Sequence, residues 1–211
     1  MNKLTIKRMV LGVVSTNCYI LYREDAKEAI CIDPSDNGER IYNFIKDKGL
    51  TLKTILLTHS HFDHIMGLKK LVELSNARVM VGEDEKELCL SPRLNASEQI
   101  RRPTTVSADY FCKDGEILDF EEAQLSCKVI FTPGHTKGSV GYYFEEDNVI
   151  ISGDTLFRES VGRTDLPTGS MSQLVHSIRE KLFLLNDDTR VYSGHGEETT
   201  IGHEKKYNPF V

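Results

Sequence analysis

Six residues, His59-Ser60-His61-Phe62-Asp63-His64, bring three imidazoles and one carboxylate together in a single turn of chain. Imidazole nitrogen and carboxylate oxygen are donors that zinc and divalent iron or manganese accept. Four donors exceed what one ion ordinarily takes from one segment, so they read as shared between two. Three more candidate donors lie far along the chain, each beside a glycine. His135 follows Thr132-Pro133-Gly134, Asp154 sits in Ser152-Gly153-Asp154-Thr155, and His195 lies between Gly194 and Gly196. Taken singly, a histidine behind a strand is more often a hydrogen-bonded loop residue, and an aspartate there often caps a turn. The cluster at 59–64 changes that weighing, because three histidines so close together have no ready structural purpose. His176 and His203 fall on polar segments and read as surface residues.

The donors need elements to hold them. Thr54 to Thr58 is an apolar, β-branched run that reads as a buried strand ending at the cluster. Runs at 126–132, 148–152 and 190–193 read as strands ending at His135, Asp154 and His195. Glycines at such ends permit sharp turns that other residues avoid. Further strands are expected at 3–11, 17–23, 28–33, 78–81, 116–120 and 140–145. Asp36, with Glu39 as its capping-box partner, is expected to start a helix carrying Ile41, Phe44 and Ile45 and stopped by Gly49. Other helices are expected around Leu68 to Val72, over 83–90, and over 171–184 behind a Ser170–Gln173 capping box. Residues 91–105 are polar, with two prolines and three arginines, and read as an excursion over the surface. Strands in runs with helices between them, twice over, suggest two facing sheets with helices outside.

Composition narrows the function. A chain of 211 residues with 39% hydrophobic and 27% charged content has the makeup of one globular domain. A formal net charge of −6 argues against a nucleic-acid partner held through backbone phosphates. No apolar run is long enough for a membrane span, and the short apolar stretch Met9 to Val14 leads into another strand rather than a cleavage site. Five widely spaced cysteines with no CxxC fit core residues in a reducing cytoplasm. Asn95-Ala96-Ser97 matches the glycosylation sequon, which in a cytoplasmic protein is coincidence.

Thr58-His59-Ser60-His61-Phe62-Asp63-His64, with His135, Asp154 and His195 following in order, resembles the metallo-β-lactamase superfamily. The resemblance spans residues 1–211 and implies a four-layer αββα sandwich with a binuclear site at one edge. It implies one metal on His59, His61 and His135, a second on Asp63, His64 and His195, and Asp154 as the bridge. Asp154 stands where true β-lactamases of the superfamily usually carry cysteine or serine. Gly153-Asp154-Thr155-Leu156-Phe157 and Gly162-Arg163-Thr164-Asp165 are similar to the glyoxalase II group, the hydroxyacylglutathione hydrolases, and Asn208-Pro209-Phe210 to its short bacterial members. Arg163 matches a basic substrate-binding position, whereas Asp165 replaces an aromatic residue. No counterpart is expected of the C-terminal helical domain with which long members hold glutathione.

Two divalent cations, zinc first and iron or manganese as alternatives, would keep net positive charge beside Asp63, Asp154 and a hydroxide, which suits a small anionic substrate. Asp63 and His195 are the expected catalytic residues. An amide leaving group needs a general acid, and none is evident; a thiolate departs unaided. The expectation is therefore hydrolysis of a thioester such as S-2-hydroxyacylglutathione by metal-bound hydroxide. Persulfide dioxygenases with one iron on the equivalents of His59, His135 and Asp154 share these motifs and form the main alternative. Lactone or other ester hydrolysis on the same site is another. A flavodiiron core fits poorly, since it carries glutamate at the position of His61.

Overall fold

The central strands of the chain are buried on both faces, which explains their nearly continuous apolar character. In β2 (Thr16–Tyr22), Cys18 and Ile20 pack toward helices while Tyr19 and Leu21 face a second sheet. The computed structural model, which describes residues 3–211, sets β2 between β1 (Thr5–Leu11) and β3 (Glu28–Ile32) as an antiparallel meander. After helix α1 (Gly38–Asp47), β4 (Thr51–Leu57) pairs parallel to β3. Two helices follow, α2 (Phe62–Ile65) and α3 (Leu68–Ser75), then β5 (Arg78–Gly82), α4 (Lys86–Leu90) and β6 (Tyr110–Cys112). These six strands lie in sequence order.

The second sheet begins with the antiparallel run β7 (Ile117–Phe120), β8 (Leu125–Phe131), β9 (Val140–Phe144) and β10 (Val149–Gly153). A small hairpin, β11 (Leu156–Phe157) and β12 (Ser160–Val161), precedes α5 (Met171–Glu180). β13 (Arg190–Ser193) then pairs parallel to β10, and β14 (Thr199–Thr200) covers its other side before α6 (Ile201–Tyr207).

Three apolar layers result. Ile41, Ile45 and Leu71 cover the outer face of the first sheet, and Leu174, Ile178 and Ile201 the outer face of the second. Between the sheets lie Tyr19, Ile30, Leu56, Val129, Phe131, Tyr142 and Ile151. This is the αββα sandwich that the sequence led us to expect. No helix among the described residues is long and apolar enough to cross a membrane.

Several boundaries differ from expectation. α1 is capped by Asn37, in a left-handed conformation at φ 47°, whose side chain accepts from the Arg40 amide. Asp36 instead accepts from the Asn37 amide, so the capping box with Glu39 does not form. The segment 83–90 divides into a 3₁₀ turn, Glu83–Glu85, and α4. Ser170 does cap α5, but that helix stops at Glu180 and Leu182–Leu184 is a separate 3₁₀ turn.

Parallel pairing directs chemistry to one end. β3, β4, β8, β10 and β13 all end there, and cross-sheet bonds lock the two edges together. The Val140 amide donates to the Thr58 carbonyl at 2.9 Å, and the Tyr142 hydroxyl to the Leu57 carbonyl at 2.8 Å.

Candidate metal centre

Seven side chains from four segments meet at this end. Donor atoms of His59, His61 and His135 lie within 4.8 Å of one another, as do those of Asp63, His64 and His195. A third grouping of the same tightness joins His59, His64 and Asp154, so it overlaps both others. Asp154 Oδ1 lies 3.4 Å from His64 Nε2, and Oδ2 lies 3.6 Å from His135 Nε2 and 3.5 Å from His195 Nε2. His195 Nε2 also reaches Asp63 Oδ2 at 3.2 Å.

Neighbouring groups fix the ring orientations. His64 Nδ1 meets Asp33 Oδ2 at 2.9 Å, and His135 Nδ1 donates to the Arg163 carbonyl at 2.7 Å. Both rings therefore turn Nε2 toward the cluster. The Thr16 hydroxyl donates to Asp63 Oδ2 at 2.9 Å. The His195 loop is held from β2: the Asn17 amide donates to the Gly194 carbonyl, and Asn17 Nδ2 and the Tyr19 hydroxyl donate to the Ser193 carbonyl.

The glycines serve two purposes. Gly134, Gly153 and Gly196 have positive φ (143°, 52° and 76°). At Gly194 the need is space, since a Cβ there would run into Asp154 Oδ1 and His64.

Electrostatics divide the cluster. Burial, reinforced by the neighbouring imidazoles, holds His59 well below the ordinary histidine range and His61 down at about 3. Burial opposes the charge on Asp63, yet His64 and His195 outweigh it and bring the carboxyl to about 2. Asp154 falls well below the carboxylate range, because His64, His195 and His135 likewise overcome its burial. His195 shows the converse: burial opposes its charge, but bonds to Asp154 and Asp63 raise it to about 9.

The residues fit a metal pair. His59 Nε2, His61 Nε2, His64 Nε2 and Asp154 Oδ1 are buried without a hydrogen-bond partner in the protein. Buried polar atoms left unpaired are costly, and a cation that displaces the proton of His64 is a partner these converging nitrogens and oxygen share. The set of five imidazoles and two carboxylates is a donor chemistry for zinc, iron or manganese.

Arg163 stands apart. Its guanidinium grips Asp165 through two bonds of 2.7 Å at the exposed surface, and only its backbone carbonyl reaches the donor cluster. Ile100 and Arg102 of the 91–105 segment line a small cleft that also touches Val13, Val14, Phe62 and Asp63. Asn95 of the sequon is fully buried and bonded to the Thr104 carbonyl, a poor acceptor for a sugar. His176 is exposed, and His203 lies on α6 against Glu159. Sequence reasoning passed over Asp33 and Thr16. The one signal for them was an acid directly ending the buried strand Ala29-Ile30-Cys31-Ile32.

A family model described as the metallo-beta-lactamase superfamily matches residues 11–195. The chain belongs to the metallo-β-lactamase superfamily. Among superfamily relatives, a probable metallo-hydrolase, YqgX, of Bacillus subtilis is 40% identical over 208 residues, covering 97% of this chain and 96% of that protein. The hydroxyacylglutathione hydrolase GloC of Haemophilus influenzae is 38% identical over 201 residues, covering 92% of each. Among solved structures, the BLEG-1 B3 metallo-beta-lactamase superposes with a TM-score of 0.92 at 39% identity, covering 98% of this chain and 99% of its own. TTHA1623 in a di-iron-bound form superposes at 0.85 with 33% identity, covering 97% and 100%. Family, relatives and donor set together support a metallo-hydrolase of this superfamily with a binuclear His/Asp metal site.

Proposed function

We propose that this protein hydrolyses thioesters of small anionic thiols, S-2-hydroxyacylglutathione being the leading substrate class. The observation that carries the reading is the position of Asp154, whose carboxylate lies within 3.6 Å of His135 of one donor group and of His64 and His195 of the other. That is the arrangement a bridging ligand between two cations needs. His59, His61 and His135 would hold one ion, and Asp63, His64 and His195 the other. Bound there, two divalent cations supply Lewis acidity and a hydroxide nucleophile near neutral pH.

The chain's own residues do the rest. Asp63, steadied by Thr16, accepts a hydrogen bond from the attacking water and aims it. His195 is 29% exposed, more than the buried histidines, which leaves it open to an incoming substrate. Arg163 can exchange Asp165 for a substrate carboxylate at little cost, because a pair exposed at 62% and 67% is weakly held. A thiolate leaves without a proton donor, which suits a centre whose histidines are committed as donors. The relative named hydroxyacylglutathione hydrolase supports the same substrate class.

Zinc is the first choice of metal for this imidazole-rich set, and the di-iron form of TTHA1623 makes iron the second. Five free, buried thiols fit a cytoplasmic protein, and we take residues 1–211 as one catalytic domain. The test is turnover of metal-loaded protein on S-lactoylglutathione, a β-lactam and glutathione persulfide, with oxygen uptake followed. Release of free thiol from S-lactoylglutathione without oxygen uptake is expected. Oxygen consumption on the persulfide, or preferential β-lactam opening, overturns the reading.

A further inference from the structure

Glu85 ends the 3₁₀ turn behind β5 and is fully buried. Its carboxylate gathers three donors from two different loops. Oε1 accepts from the Ser60 amide at 2.8 Å, and Ser60 sits between His59 and His61. Oε2 accepts from the Thr136 hydroxyl at 2.9 Å and the Gly138 amide at 3.1 Å, on the loop that carries His135. One carboxylate thus spans both loops that supply the three-histidine group.

The backbone is fitted to this contact. A Cβ at Gly138 would run into the backbone of Asp84 and Glu85, and one at Gly82 would press on the Gly138 carbonyl at 2.8 Å. The three-histidine group also needs such a tie. Its rings crowd together, with His61 Nδ1 and His135 Nε2 at 2.8 Å and the His59 and His135 centroids at 4.7 Å. In the metal-free protein His61 Nδ1 donates to His135 Nε2, a bond that ion binding would have to replace, so the loops need a tie that does not depend on it. The Val140 amide contributes by donating to the Thr58 carbonyl, but that contact grips neither Ser60 nor Thr136. Burial also lifts the Glu85 carboxyl to about 7, against the pull of its three donors. Such a group is an expensive way to fill space.

We propose that Glu85 is a positioning residue that sets the separation of the His59–His61 and His135 loops, and so tunes metal affinity at the three-histidine group. This rests on the metal centre proposed above. Conservative changes to groups that orient metal ligands typically cost roughly 10- to 100-fold in affinity.

The experiment is a two-step competition titration with Zn²⁺ alone on metal-free wild type, Glu85→Gln and Thr136→Val, with thermal unfolding of each metal-free protein. His61→Ala marks which step belongs to the three-histidine group. Glu85→Gln, nearly isosteric, should lower affinity by roughly 10- to 100-fold at that step and leave the other unchanged. Thr136→Val, which removes one of three donors, should produce a smaller loss at the same step. It keeps the proposal falsifiable if the glutamine variant does not fold. Equal weakening of both steps alongside a lower unfolding temperature would mean a merely structural role and overturn the proposal. So would wild-type titration curves in both variants. If wild type binds no zinc, the metal centre fails and this inference with it; two normal steps in all three proteins refute Glu85 alone.

Discussion

Asp33 Oδ2 meets His64 Nδ1 at 2.9 Å while the same carboxylate accepts from the Thr58 amide at 2.8 Å and the Thr58 hydroxyl at 2.6 Å. A single buried acid therefore joins the end of β3, the end of β4 and the ring that lies between both donor groups. The arrangement keeps His64 Nε2 free for a cation and raises the ring's basicity. Asp33→Asn would replace one acceptor oxygen by an amide donor facing Thr58 or His64. We expect roughly 10- to 100-fold weaker metal binding with the fold retained. Metal titration beside circular dichroism checks this, and wild-type affinity would remove Asp33 from the account.

Arg163 presents a different balance, because its pair with Asp165 is exposed and screened. Arg163→Ala should raise KM for an anionic thioester while changing kcat little, since a grip on a remote carboxylate acts in ground and transition states alike. Steady-state kinetics on S-lactoylglutathione decide it. A loss confined to kcat would contradict a substrate-binding role for the guanidinium.

Metal binding should be coupled to proton release through His195. In the metal-free protein its imidazole titrates at about 9, above the ordinary 6.5, because Asp154 and Asp63 bond to its charged form despite burial. A cation requires the neutral ring, so below about pH 9 the incoming ion must displace that proton. Apparent affinity should therefore rise with pH through the neutral range. His64 adds to this: burial opposes its charge, but Asp63, Asp33 and Asp154 raise it well above the ordinary range, and the ion must displace its proton too. Calorimetry in buffers of different ionisation enthalpy measures the protons released. Binding that is independent of pH between 6 and 8 would contradict the assignment.

The layers and the donors were readable from sequence for a physical reason. Two-sided burial makes runs such as Ile55 to Leu57 uniformly apolar, and donors directly behind them fall at a common edge once the strands run the same way. The Ser170 cap was readable because the capping bond is local, from the Gln173 amide to the Ser170 hydroxyl. What escaped depends on distant partners. Asp33 acquires its role only when β4 lies beside β3 and His64 arrives from α2. Glu85 looks like one of three consecutive acids, yet it is the one turned inward onto Ser60 and Thr136. The cap of α1 was misread because Asn37 adopts a left-handed backbone that competes with Asp36 for the cap. The hairpin of β11 and β12 is two residues a side, too short for any alternation to show.

The measurement that bears most directly on the centre is metal content per chain, by elemental analysis after reconstitution and desalting, for wild type, Asp154→Asn and Asp63→Asn. The account predicts two divalent ions per wild-type chain. It also predicts a greater loss in the Asp154 variant, whose carboxylate touches both groups, than in the Asp63 variant, whose carboxylate serves one. A single ion in wild type, or equal retention in the two variants, would contradict it.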